Sequence, residues 1–532
     1  MLLAPGAFTA LLATLIANPV SARSENHLHE PRRVTTTQHH TTSTAIATAS
    51  ASTAFPTINL GYSTVRAVAG NSSIGYYKYQ NIRFAQAPLG DLRFAKPQWP
   101  LDETTINTGS LASQSVDCSS EEDCLFMDVW VPANASASKT SLPVMVWTYG
   151  GGFTGGGKSE NTPEGLFDLS LDFIFVSFNY RLGFTGITPG VTLPHEGGFN
   201  NVGLYDVEHA YRWVHKHIAK FGGNPQDVTA FGFSAGASMP LFQITRFGGH
   251  NEQLFNKAYL TSPGFVPGAG HHHGEQFFQN VSTAVGCDGG QLECMRSTAG
   301  SDVADEWTYQ FQPRVDGDFV TDTYESNLYQ RRFNFTGPMV ISHEQHEANS
   351  SPWSGVDSAA DIPTTLRTFF PSITDDVIDE LLALYPEDDF TSAGLRFSSM
   401  KQDLDLTAHN FALTEALGNN TWGAEVKLSP ATHGTDQSYY SRSPCVLSPS
   451  SGPAMARAKA DPSSSIYQIS MQKYLISFVL TGNPNKLWSN DHLYWPKYGS
   501  EAQIMVFNET SSIGTDDLAN ARSLYWNKAL WW

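Results

Sequence analysis

The feature that most constrains this chain is a serine between two glycines, placed directly after an apolar run. Residues 227–241 read DVTAFGFSAGASMPL, in which the apolar residues 228–231 are followed by GFSAG with Ser234 at its centre. This G-x-S-x-G pattern at a strand-to-helix turn is the nucleophile-elbow motif. The glycines suit a strained turn in which a Cβ would collide with neighbouring backbone. We therefore expect an accessible Ser234 hydroxyl, with the Ala235 N–H beside it at the positive end of a helix.

Apolar runs and helical patterns alternate along much of the chain. Buried strands are predicted from continuous apolar runs at residues 143–149, 173–180, 228–231, 257–261 and 338–342. Helices are predicted from the spacing of apolar residues at 200–221, 374–385 and 466–480. Strands that alternate with helices of this length form a mostly parallel sheet, so the predicted fold class is α/β.

Composition and charge bound the domain organisation and the partners. The 532 residues carry 32 basic and 51 acidic side chains, and the net charge of -19 argues against a nucleic-acid partner. Residues 23–57 are rich in Thr, Ser, Ala and His, which predicts a flexible, low-complexity lead-in. No long linker or internal repeat follows it, so residues 58–532 are predicted to form one large domain.

The first 22 residues have the pattern of a secretory signal peptide. An apolar segment precedes small residues at the positions that a signal peptidase requires, and it is too short to span a membrane. We therefore expect an exported protein without a stable membrane anchor. Seven N-glycosylation sequons agree with export and are expected at surface positions: Asn71, Asn134, Asn280, Asn334, Asn349, Asn419 and Asn508.

Five cysteines in an exported chain indicate two disulfides and one remaining thiol. Cys118 and Cys124 are close in sequence, as are Cys287 and Cys294, and short loops close at little entropic cost. These are the predicted pairs. Cys445 is then the unpaired residue, and a buried, inert thiol is favoured for it.

Several segments, in this order, resemble the type-B carboxylesterase/lipase family, which includes the cholinesterases. The matching segments are AQAPLGDLRF at 85–94, EDCL at 122–125, VMVWTYGGGF at 144–153, NYRLG at 179–183, NVGLYD at 201–206, FGGNP at 221–225 and TGNPN at 481–485. The resemblance runs from about residue 58 to the C-terminus. It implies an α/β-hydrolase fold: one large domain with a central, mostly parallel sheet flanked by helices. It also implies a secreted carboxylesterase of the fungal type.

The resemblance also implies an acidic residue and a histidine that act with Ser234. The family acid follows a strand, and in MVISHEQHEA at residues 339–348 its counterpart is Glu347. This segment departs from the family pattern, because His346 and Ala348 stand on either side of Glu347 where Asp and Gly are usual. Glu344 therefore remains a second candidate for the acid. The family histidine matches His433 in ATHGTD, which gives the chain order serine, acid, histidine that the fold requires.

Carried over from the family, the backbone N–H groups of Gly151, Gly152 and Ala235 would form an oxyanion hole. The implied activity is hydrolysis of small-molecule carboxylic esters through an acyl-enzyme on Ser234, with no cofactor. Two other functions are compatible with the same sequence. One is transfer of the acyl group to an alcohol instead of water, and the other is a catalytically silent adhesion protein. The sequence predicts no particular oligomeric state.

Two further patterns point to other chemistry and are given less weight. GFTGGGKS at residues 152–159 satisfies the phosphate-loop pattern, but the residues after it make a poor phosphate-binding helix. His343 and His346 lie near glutamates, yet their i, i+3 spacing does not match the i, i+4 spacing of a zinc-binding helix. We therefore predict no metal site.

Overall fold

The structure, a computed structural model, describes residues 55–110, 116–135, 141–266, 272–300, 311–441 and 462–528. The predicted signal peptide, residues 23–54 of the predicted lead-in, and Cys445 lie outside the described residues. The described strands are β1 (Thr57–Asn59), β2 (Thr64–Arg66), β3 (Ala69–Asn71), β4 (Tyr76–Arg83), β5 (Ile106–Asn107), β6 (Phe126–Pro132), β7 (Leu142–Thr148), β8 (Ile174–Phe178), β9 (Gly223–Phe233), β10 (Lys257–Thr261), β11 (Met339–Glu344), β12 (Trp422–Val426), β13 (Gln503–Phe507) and β14 (Ser512–Thr515).

Helices connect most of these strands. The described α-helices are Glu164–Phe167, Gly183–Gly186, Thr192–His195, Val202–His217, Ala235–Thr245, His272–Ala284, Leu292–Ser297, Tyr324–Tyr329, Asp361–Phe369, Asp375–Leu384, Ala393–Gln402, Ala408–Ala416, Gln437–Tyr440, Pro462–Thr481 and Ala521–Asn527. Short 3-10 turns lie at Gly90–Leu92, Ile218–Phe221, Arg246–Gly249 and Glu387–Asp389, and a π-helical turn lies at Asp403–Thr407. None of the described helices is long and apolar enough to cross a membrane.

One large sheet organises the described residues. Its order is β14-β13-β12-β11-β10-β9-β7-β8-β6-β4-β3, and all neighbours from β8 to β13 pair in parallel. Strands β8, β10, β11 and β12 are buried along their whole length, as expected for parallel strands covered on both faces. The α/β prediction and its five strands are therefore confirmed. Residues 228–231 form the buried part of the longer β9, which begins at Gly223.

The predicted helices are also present, with small changes at their ends. Residues 200–221 form a helix at Val202–His217 and then tighten into a 3-10 turn that ends at Gly222, whose φ is 87°. A left-handed glycine is a common end of a helix, because no Cβ opposes that backbone angle. Both predicted disulfides are also present, with S–S distances of 2.03 Å for Cys118–Cys124 and 1.97 Å for Cys287–Cys294.

Lys158, the lysine of the phosphate-loop pattern, is buried in the core and paired with an aspartate. Its Nζ lies 2.6 Å from Oδ1 of the fully buried Asp128, and its side chain is 3% exposed. Lys78 approaches the other oxygen of Asp128 at 3.3 Å. A buried carboxylate needs such partners, because an unpaired buried charge costs several kcal/mol. Lys158 therefore anchors the end of its glycine-rich segment and is not available to bind phosphate.

His343 and His346, which imitate a metal motif in the sequence, point to different surroundings. His343 is buried on β11 with Nε2 3.7 Å from Oδ1 of Asp517. His346 is exposed, and its Nδ1 lies 3.1 Å from Oδ1 of Asn349. Burial alone would lower the pKa of His343, but the neighbouring carboxylates, above all Asp517, outweigh it and raise the pKa to about 9.

This ion pair predicts a pH-dependent contribution to stability. Because the pKa of folded His343 exceeds the ordinary value near 6.5, the contribution is complete below about pH 6.5 and is lost as the pH rises through 9. We expect His343→Gln to lower the unfolding free energy by about 1–2 kcal/mol at pH 6, since water screens the exposed Asp517. Urea unfolding of both proteins from pH 6 to pH 10 measures this. A difference that stays constant over that range would contradict the prediction.

Candidate active site

Ser234 occupies the sharp turn between β9 and the helix Ala235–Thr245. Its backbone angles are φ 56° and ψ -131°, a conformation that is strained for any residue with a side chain. The turn is crowded on both sides of the serine. A Cβ on Gly232 would lie 2.3 Å from the carbonyl oxygen of Gly236, and one on Gly236 would lie 2.2 Å from a backbone oxygen of β7. The turn therefore has the geometry that the G-x-S-x-G pattern predicts.

The structure brings Ser234, His433 and Glu347 into one hydrogen-bonded series. Nε2 of His433 lies 2.7 Å from Oγ of Ser234, and Nδ1 of His433 lies 2.5 Å from Oε2 of Glu347. Ser234 follows β9, Glu347 follows β11 and His433 follows β12. The carboxyl ends of these strands lie at one edge of the sheet because the strands run parallel. An imidazole held between a hydroxyl and a carboxylate can accept the hydroxyl proton and bear the resulting charge.

The carboxyl group of Glu347 is buried and fully engaged. Its Oε1 accepts a hydrogen bond of 2.7 Å from the backbone N–H of Glu344, while Oε2 faces His433. Burial would raise the pKa of Glu347, but the adjacent His433 and the hydrogen bonds from His433, Glu344 and Ser262 together hold it below the ordinary value. The group is thus an ionised carboxylate at neutral pH, fixed on both oxygens.

Glu344, the second candidate for the acid, lies elsewhere. It is the last residue of β11, and its Oε1 accepts a hydrogen bond of 2.7 Å from the backbone N–H of Asp436. No described hydrogen bond joins its carboxyl group to His433. The two glutamates are three residues apart, yet the turn after β11 directs Glu347 toward the imidazole and Glu344 away from it. The geometry favours Glu347.

The glycine-rich segment after β7 lies against the serine. A Cβ on Gly150 would lie only 2.8 Å from Cβ of Ser234. Gly151 has φ 101°, and its carbonyl oxygen accepts hydrogen bonds of 3.1 Å from the N–H groups of Thr154 and Gly155. Gly152 has φ 61°, and nothing lies within 4 Å of its Cβ position. The segment therefore turns sharply beside Ser234, and the Cβ position of Gly152 is open.

Two tyrosines form a reciprocal clasp beneath this segment. The Oη of Tyr149 donates to the carbonyl oxygen of Tyr180 at 3.1 Å, and the Oη of Tyr180 donates to that of Tyr149 at 3.0 Å. Their rings are fully buried and stacked, with centroids 4.5 Å apart. Because Tyr149 directly precedes the three glycines, the clasp fixes the point from which the segment leaves β7.

Some features of the site were not evident from the sequence. The ring of Phe233 packs on the imidazole of His433, with centroids 4.8 Å apart, and the adjacent Gly434 leaves room for it. Tyr149, Tyr180 and Asp436 all lie within the family-like segments, but those segments gave them no role. Their buried hydroxyl or carboxyl groups in otherwise apolar or glycine-rich surroundings were the available signal, since buried polar groups need partners.

Comparisons with known proteins agree with this site and fold. A profile of the Carboxylesterase family matches residues 56–526. The chain is 26% identical to the Carboxylesterase patB of Penicillium expansum over 89% of this chain and 96% of that one. It is 29% identical to a secreted lipase of Arthroderma benhamiae over 71% and 75% of the two chains. The crystal structure of Aspergillus niger EstA superposes with a TM-score of 0.78 at 24% identity, over 90% of this chain and 98% of that one.

The resemblance noted in the sequence is thereby confirmed, as is the α/β-hydrolase fold. The family profile covers nearly all of the described residues, and the relatives include fungal carboxylesterases, lipases and cholinesterases. The chain therefore belongs to the carboxylesterase family and is a carboxylic ester hydrolase.

Proposed function

We propose that this chain is an exported serine esterase that cleaves small-molecule carboxylic esters through an acyl-enzyme on Ser234. The observation that carries the proposal is the unbroken series of contacts from Oγ of Ser234 through both ring nitrogens of His433 to Glu347. A serine hydroxyl is a weak nucleophile at neutral pH, so it needs an adjacent base held in one tautomer. Glu347 accepts from Nδ1–H, which leaves Nε2 free to take the serine proton.

In the acylation step, Oγ of Ser234 attacks the ester carbonyl carbon while its proton passes to Nε2 of His433. The carbonyl oxygen becomes an oxyanion, for which the backbone N–H groups of Gly151, Gly152 and Ala235 are the proposed donors. One such donor contributes about 3 kcal/mol to lowering the barrier. As the tetrahedral intermediate collapses, the bond to the alcohol oxygen breaks and His433 returns the proton to the leaving alcohol.

Deacylation repeats the sequence with water as the nucleophile. His433 takes a proton from water as the water oxygen adds to the acyl carbon. The bond from that carbon to Oγ of Ser234 then breaks, His433 returns the proton to Oγ, and the carboxylic acid leaves. An alcohol in place of water would give transesterification from the same intermediate. Product analysis in water with added methanol separates these two outcomes.

The experiment that tests the proposal is covalent labelling by paraoxon, followed by intact-mass measurement and peptide mapping. We expect one diethylphosphoryl group per chain, located on Ser234, together with loss of p-nitrophenyl ester hydrolysis. The Ser234→Ala variant is the control and should gain no mass. A correctly folded protein that forms no adduct, or forms it on another residue, would refute the proposal and favour the adhesion reading.

Export rests on separate support. Two named relatives are secreted lipases, from Arthroderma benhamiae and Botryotinia fuckeliana, and two disulfides suit an oxidising compartment. None of the seven sequon asparagines is buried: Asn71, Asn134 and Asn280 are exposed, and Asn334, Asn349, Asn419 and Asn508 are partly exposed. Expression of the full chain in a fungal host should place it in the medium, beginning after residue 22, with a mass that falls on treatment with a peptide N-glycosidase.

A further inference from the structure

Two buried carboxyl groups lie behind the proposed triad and have no part in the steps above. Glu344 ends β11, and Asp436 lies three residues after His433. Both residues are 0% exposed. Two buried acidic groups side by side are costly if both are ionised, because like charges repel strongly where water is excluded. Their arrangement therefore needs a physical account.

The hydrogen bonds around the pair provide that account. Oε1 of Glu344 accepts from the backbone N–H of Asp436 at 2.7 Å, and Oδ1 of Asp436 accepts from Nε2 of Gln437 at 2.9 Å. The two carboxyl groups are also close enough to interact electrostatically. The remaining oxygens, Oε2 of Glu344 and Oδ2 of Asp436, receive no hydrogen bond from any described donor. A single proton held between the two groups would satisfy both of these oxygens.

The pair also joins the two segments that carry Glu347 and His433. We call residues 345–349 the acid loop and residues 427–436 the histidine loop. The backbone N–H of Glu344 holds Oε1 of Glu347 at 2.7 Å, at the start of the acid loop. The backbone N–H of His346 donates to Ala431 of the histidine loop at 2.8 Å. The hydrogen bond from the backbone N–H of Asp436 to Oε1 of Glu344 also connects these two parts of the chain.

We infer that Glu344 and Asp436 share one proton, and that this carboxyl pair is a positioning device that holds Glu347 and His433 in register. The pair carries one negative charge when the proton is present. In that state it clamps the acid loop to the histidine loop. Loss of the proton turns the clamp into two adjacent carboxylates beside the carboxylate of Glu347, and the loops are pushed apart.

The surroundings favour the protonated state. The charged or titratable groups that face the pair are Glu347, His433 and the hydroxyls of Tyr259 and Tyr440. None of these is a permanent cation. Burial, with the negative charges of Asp436 and Glu347, raises the pKa of Glu344 well above its ordinary value. Burial likewise raises the pKa of Asp436 to about 6.

The consequence is an alkaline limb in the activity profile. As the pH rises and the pair loses its proton, kcat is expected to fall while KM changes little, because the pair acts on the geometry of Glu347 and His433 and does not touch the substrate. Glutamine at position 344 can donate to Asp436 and accept from its N–H at every pH. Glu344→Gln should therefore lack this alkaline limb.

The test compares pH profiles of kcat and KM for the wild type, Glu344→Gln and Glu344→Leu, with a p-nitrophenyl ester as substrate. Leucine cannot bridge the loops, so we expect a plateau kcat lower by on the order of 100-fold, which glutamine should largely restore. Glu325→Gln is the matched control, since Glu325 is also a buried glutamate, 5% exposed, on the separate helix Tyr324–Tyr329. Its profile should match that of the wild type.

Infrared spectroscopy supplies a readout that does not depend on turnover. The wild type should show the C=O band of a protonated carboxyl group that titrates together with the alkaline limb and is absent in Glu344→Gln. The inference is overturned if Glu344→Gln keeps the wild-type alkaline limb, if it keeps the band, or if it is as slow as Glu344→Leu. It rests on the proposed function, whose own failure is recognised separately by the absence of paraoxon labelling in the wild type.

Discussion

Glu347→Gln is expected to lower kcat about 10⁴-fold, the loss known when a triad carboxylate becomes an amide. Both oxygens of Glu347 face N–H donors, from Glu344 and from His433. An amide has only one acceptor oxygen, so its NH₂ group must face one of these donors. If it faces His433, Nδ1 must become the acceptor, and Nε2 then carries the proton. That tautomer cannot take the proton of Ser234.

Steady-state kinetics with a p-nitrophenyl ester, at a pH on the activity plateau, measures this loss. KM should change little, since Glu347 is buried and lies behind His433. Glu325→Gln again controls for the loss of a buried carboxyl group outside the site. If Glu344 were the acid instead, Glu344→Gln would show the 10⁴-fold loss and Glu347→Gln would be the mild variant.

The central parallel strands β7 to β11 were predictable from the sequence. Strands β7, β8, β10 and β11 are continuous apolar runs, and each was located within about two residues at its ends. Such runs are informative because a strand in a parallel sheet is buried on both faces. Once the strands are parallel, residues after their carboxyl ends must meet at one edge. Local patterns therefore placed Ser234 at this edge, whereas β12, the strand before His433, was not predicted, and His433 was assigned by the family resemblance.

Sequence patterns left both Glu347 and Glu344 as candidates for the acid. Both glutamates stand at the end of β11 in a segment that departs from the family pattern, and their chemistry is identical. What separates them is the backbone path of the acid loop, which is set by its pairing with the histidine loop some 85 residues later: Glu347 and His433 are 86 positions apart. Contacts between two irregular segments leave no periodic signal in either one.

Lys158 shows that a local sequence pattern can also suggest a binding site that the fold does not form. Its local sequence satisfies a phosphate-loop pattern, but its ammonium group is bound by Asp128 on β6, some 30 positions away in the chain. A short motif records which groups are close in sequence and not which are buried together. The contact between Asp436 and Glu344 was hidden for the same reason, because the two residues are 92 positions apart in the chain.

Gly151→Ala is expected to lower kcat by about 10²- to 10³-fold with a much smaller change in KM. A Cβ on Gly151 would lie 2.4 Å from the carbonyl oxygen of Gly155, and φ at Gly151 is 101°, so the backbone must move. The proposed N–H donors would then no longer point at the oxyanion. Because that charge develops only in the transition state, the change lowers kcat more than it affects KM. Gly155→Ala is the matched control in the same segment, because its Cβ would lie 4.0 Å from the nearest atom, the carbonyl oxygen of Gly151. Equal losses in the two variants would mean that the segment as a whole, and not the donors near Ser234, limits the reaction.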